Sequence, residues 1–107
     1  MEPEGIIVRA LDHYLLYIQM GEHYDGERRK STAIECVSYI KDGGVVDKDW
    51  LISKNLFFID VFSEYSAFLE REILNAIPND EEIRRLKKEQ TAIDTLLKAL
   101  RQVFWGT

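Results

Sequence analysis

The side chains best suited to chemistry gather early in the chain, where Asp12, His13, Glu22, His23 and Asp25 bring carboxylates and imidazoles into one short stretch. Such a set could hold a divalent metal and support a metal-dependent enzyme. Helical bundles that bind metals usually do so through Glu-x-x-His spacings aimed inward. Here both histidines project on the solvent side of the first helical pattern, so exposed polar residues near a turn are the favoured reading.

Asp60 and Glu64 stand one helical turn apart and could form an acid–base pair, but only if burial or a neighbour separated their pKa values. They read as part of a charged outer face. Arg84, Lys87, Lys88, Lys98 and Arg101 could form a basic strip along the last helix. From residue 80 onward six basic side chains face five acidic ones, and before it eight face fourteen. The charge is therefore uneven, and a nucleic-acid-associated protein using this strip is an alternative. Nucleic-acid faces usually interleave aromatic or polar readers with the cations, and only Trp105 could serve here. Neither HExxH, a glycine-rich phosphate loop, GxSxG nor CxxC occurs. No catalytic, cofactor or metal site is expected, and the chain reads as non-enzymatic.

The elements that would position these residues are helices. Alternation with the period of a half-buried strand is absent, as is any repeat at solenoid spacing. The expectation is a single all-α domain, residues 1–107. It is an antiparallel bundle of four helices at about 3–22, 27–42, 48–77 and 80–105, built on a long C-terminal hairpin. Pro3 suits a first helical turn, and Glu2 and Glu4 complement the helix dipole there. Ile7, Ala10, Leu11, Tyr14, Leu15 and Ile18 form the first apolar stripe, with Leu16 and Met20 left on the polar side. The second helix presents Ala33, Ile34, Val37 and Ile40, with Cys36 at the edge, and Asp42-Gly43-Gly44 ends it.

Asp47 or Asp49 caps the third helix, and Ser53-Lys54-Asn55 could break off a short first piece. Its main stripe is Ile59, Phe62, Ser66, Leu69, Ile73 and Ala76, and Phe57, Val61 and Phe68 form a second row beside it. The break at Ile77-Pro78-Asn79-Asp80 is short enough to force antiparallel neighbours. The fourth helix answers with Ile83, Leu86, Gln90, Ile93, Leu97, Leu100 and Phe104. With the turn at Pro78-Asn79, Ser66 falls opposite Gln90 and Thr91, while Trp50 and Trp105 meet at the open end with Leu51, Ile52, Val103 and Phe104.

Composition sets the outer bounds. A chain of 107 residues with 46% hydrophobic and 31% charged side chains can build one core. Its formal charge of −5 disfavours general affinity for phosphate backbones. Cys36 is the only cysteine, so an internal disulfide is impossible and a reducing compartment fits. The acidic start is unlike a secretory signal, and no apolar run is long enough to span a membrane. The expected protein is cytoplasmic, with no cofactor. It acts as a helical protein–protein interaction module, a small regulator, inhibitor or assembly subunit. Phe57, Val61 and Phe68, with Leu16 and Met20, are the expected contact with a partner or with a second copy in a homodimer.

Overall fold

The computed structural model describes residues 3–19 and 26–105, with side chains for 4–19 and 26–103. Among the described residues five helices follow one another: α1 (Pro3–Gln19), α2 (Gly26–Lys41), α3 (Lys48–Ser53), α4 (Asn55–Ala76) and α5 (Asp80–Trp105). Among the described residues there is no strand. The architecture is the expected all-α bundle built on the α4–α5 hairpin, with one difference in its segmentation. The expected third helix breaks at Lys54. There the Ser53 hydroxyl donates to the Trp50 carbonyl and the Lys54 N–H turns back to Leu51, which closes α3 before α4 begins.

Local chemistry sets the remaining ends. Asp47 accepts a hydrogen bond from the Trp50 N–H at 2.9 Å and starts α3, and Asn79 accepts one from Glu82 at 3.1 Å and starts α5. Gly43 takes a φ of 86° just past α2, a backbone region that other residues avoid. The Tyr39 ring lies over Gly44, and its hydroxyl donates to the Val45 carbonyl. Tyr39 also stacks on Trp50 with ring centroids 4.7 Å apart, tying the end of α2 to α3.

The hairpin carries most of the core. Phe58, Val61, Phe62, Tyr65, Leu69 and Ile73 of α4 and Leu86, Ile93, Leu97 and Leu100 of α5 are buried in one apolar cluster, and these two helices make the most extensive contact of the fold. The register matches the expected one: Gln90 donates to the Ser66 carbonyl and the Glu70 carboxylate, and Ser66 donates to Asp94. These polar groups meet on a partly exposed flank of the hairpin.

Helix α1 touches both arms of the hairpin and buries Ile6, Ile7, Ala10, Leu11, Tyr14 and Ile18 there. Helix α2 packs mainly on α1. Its inner face differs from the expected one, since Cys36 is enclosed and Ile34 is 46% exposed. Ala33 and Cys36 are the buried residues of this polar helix, so its rotation is set by small side chains that allow close approach.

Candidate functional site

Helix α3 is only six residues long, and it reaches the last turns of α5 without covering them. Leu51 and Leu100 are buried and form the floor of the junction, while Ile52 and Leu96 are half-buried along its sides. Ala99 is too small to fill the space above them. The result is an apolar groove of about 280 Å³, whose lining also includes Val46, Asp47, Lys48 and Val103. Val103 is 43% exposed, and Val45, next to the groove in sequence, is 67% exposed. The Asp47 carboxylate is occupied with capping α3, so the groove offers shape and apolar surface but little directed polarity.

Polar clusters help fasten α1 to the bundle. In the first, the Tyr14 hydroxyl donates to Asp60, and Arg29 of α2 donates to both. Asp60 is thus a structural partner joining three helices, in contrast to the solvated outer face expected for it. Burial, and then the hydrogen bond to Asp60, push the Tyr14 phenol up to about 12. In the second cluster Glu89 of α5 accepts from Tyr65 and from both Nε and Nη2 of Arg9, the Nε contact being 3.0 Å. Burial alone would raise the Glu89 carboxyl, but the bonds from Arg9 and Tyr65 outweigh it and hold the group below its usual range. Tyr65 is pushed up by burial and by the same carboxylate. Both phenols therefore stay protonated at neutral pH and serve as fixed donors.

His13 departs from its expected place on the solvent side. Its ring packs on Phe68 with centroids 4.3 Å apart, and its Nε2 is enclosed without a hydrogen-bond partner among the described residues. Asp12 is exposed, and Glu22, His23 and Asp25 lie outside the described residues. Among the described residues no group of three or more His, Cys, Asp or Glu side chains converges. Burial pushes the Cys36 thiol up, away from reactivity.

The expected contact residues are dispersed. Val61 is fully enclosed, while Phe57 and Phe68 are half-buried. Phe57 meets Tyr14 edge to face at 5.7 Å, and Phe68 meets His13. The second apolar row of α4 is therefore the seat of α1, and Val61 has no surface to offer a partner. Leu16 stands 59% exposed on the outer face of α1, and Met20 lies outside the described residues. In the basic strip, Arg84, Lys87, Lys88, Lys98 and Arg101 are all exposed on α5. Arg101 lies near the Ser63 hydroxyl at 3.4 Å. The Phe104 and Trp105 side chains, and with them the expected pairing of the two indoles, lie outside the described residues. Leu51, Ile52 and Val103 do meet at the open end. The groove has its own signal in sequence, since Leu96, Ala99 and Val103 form a second apolar row beside Ile93, Leu97 and Leu100.

No protein-family model, curated protein or solved structure matches this chain. Among the described residues, no helix is long and apolar enough to cross a membrane.

Proposed function

We propose that this chain is a non-enzymatic protein–protein interaction module, a small regulator, inhibitor or assembly subunit, that seats apolar side chains of its partner between α3 and α5. The supporting observation is the open apolar groove itself, with Val103 at its rim and Val45 beside it. Interfaces are centred on apolar anchors that enter pockets of this kind. The groove offers about 280 Å³ of mostly apolar space, room for a few side chains of a partner. The single cysteine suits a reducing, cytoplasmic setting.

A second copy of the chain is the first partner to test. Sedimentation equilibrium at tens of micromolar should show a dimer that Ala99→Phe, which fills the groove, converts to monomer. A dimer that survives this substitution would move self-contact elsewhere, with exposed Leu16 the next surface to probe. A monomer throughout would rule out self-association and leave only a different protein as partner.

A further inference from the structure

We propose that His13 makes the seating of α1 on the hairpin acid-sensitive, because the fold accepts this ring only as a neutral imidazole. The ring lies 4.3 Å from that of Phe68 and 5.7 Å from that of Tyr65, measured between centroids. Its Nε2 is shut off from solvent and has no hydrogen-bond partner among the described residues. A neutral ring protonated at Nδ1 leaves only a lone pair in that enclosure. A second proton places a charged N–H there with nothing to accept it.

The surrounding charges do not relieve this. From α4, the Tyr65 hydroxyl is committed to Glu89, the Glu64 carboxylate is engaged by Tyr17, and the Arg71 guanidinium opposes a second cation. From α5, Glu89 is already engaged by Tyr65 and by Arg9, which stands one turn before His13 on α1. Asp12, the neighbour on α1, is exposed to solvent. The face of Phe68 offers a cation some attraction. Burial, then Arg71, nevertheless hold the imidazole below its ordinary pKa.

The direction of the effect follows from linkage. An open or unfolded chain takes up the proton near the ordinary value of 6.5, whereas the closed chain resists it until lower pH. Between those points, acid shifts the equilibrium toward opening by up to about tenfold per pH unit, and the slope disappears below the closed-state pKa. Opening uncovers the part of α4 that α1 protects, including Phe57, Val61 and Phe68.

The test is amide hydrogen exchange of α1 between pH 7.5 and 5.0, corrected for intrinsic rates, together with NMR titration of the His13 ring. The opening constant should rise below pH 6.5 in the natural sequence and stay flat in His13→Phe, which keeps an aromatic ring in place. Arg71→Gln, at an exposed position, should move the His13 titration part of the way toward its ordinary range and reduce the slope, with the burial contribution remaining. A flat profile in the natural sequence overturns the proposal, as does an equal slope in His13→Phe. Should His13→Phe fail to fold, a His13 ring that titrates at or above 6.5 and ignores Arg71→Gln overturns it independently.

Discussion

Replacing Glu89 with Gln removes the charge that joins α1 to both arms of the hairpin. The Glu89 side chain is 13% exposed and that of Arg9 is 50% exposed. A hydrogen bond to a buried charged group contributes about 1.5–3 kcal/mol, whereas exposed ion pairs contribute about 0–1 kcal/mol. The Tyr65 bond belongs near the first range and the Arg9 bonds near the second. Because Gln still offers one acceptor, the expected loss is about 1–2 kcal/mol, or roughly 4–10 °C in Tm for a domain of this size. Glu89→Ala should cost more, since it leaves the Tyr65 hydroxyl buried without an acceptor. The pH dependence supplies a second readout. The Glu89 carboxyl is depressed on folding, so its contribution is complete above the ordinary value of 4.5 and is lost as pH falls from there through the folded value. The gap between the natural chain and the Glu89→Gln variant in urea titrations should therefore narrow between pH 5 and pH 3. A gap below about 0.5 kcal/mol at pH 7, or one that is the same at pH 3, would refute this account of how α1 is held.

Three further substitutions probe the framework. Phe62→Ala empties a fully enclosed position on α4 and should cost about 3–5 kcal/mol by chemical denaturation; a loss below 1 kcal/mol would mean that the hairpin is packed differently. Gly44→Ala places a Cβ about 2.5 Å from the Tyr39 ring, so α2 should lose its contact with Trp50 at a cost of about 1–3 kcal/mol, read by tryptophan emission and Tm. Gln90→Leu should leave stability within about 1 kcal/mol or raise it, because Glu70 is exposed and returns to water when Gln90 is lost; a clear drop in Tm would give Gln90 a larger role.

The hairpin was legible because its signals are local. Ile77-Pro78-Asn79-Asp80 interrupts two long apolar stripes, and simple opposition across that turn brings Ser66 to Gln90, as observed. The placement of α1 was less legible. Projecting one helix at 100° per residue separates an apolar stripe from a polar back, and Arg9 and His13 fall on the back. A helix seated between two others is contacted on its flanks as well, which is why Arg9 reaches Glu89 and His13 meets Phe68. The same geometry explains Phe57, Val61 and Phe68. A wide apolar face on α4 signals burial, and sequence alone does not distinguish burial by α1 from burial by another chain. On α2 the apolar pattern is weak, and side-chain size outweighed hydrophobicity in placing Cys36 inside and Ile34 outside.

The groove between α3 and α5 is the centre of the functional proposal, and comparative capture from the native host tests it most directly. Immobilised natural protein is compared with Ala99→Phe, which fills the groove, Val103→Glu, which charges its rim, and Ile34→Glu, which charges an exposed apolar position on α2. All should remain folded by circular dichroism. If the groove seats the partner, a protein should be retained by the natural chain and by Ile34→Glu at similar levels, but reduced at least tenfold by each groove substitution. Retention of the same protein by all four chains would contradict this seating, as would a partner lost only with Ile34→Glu.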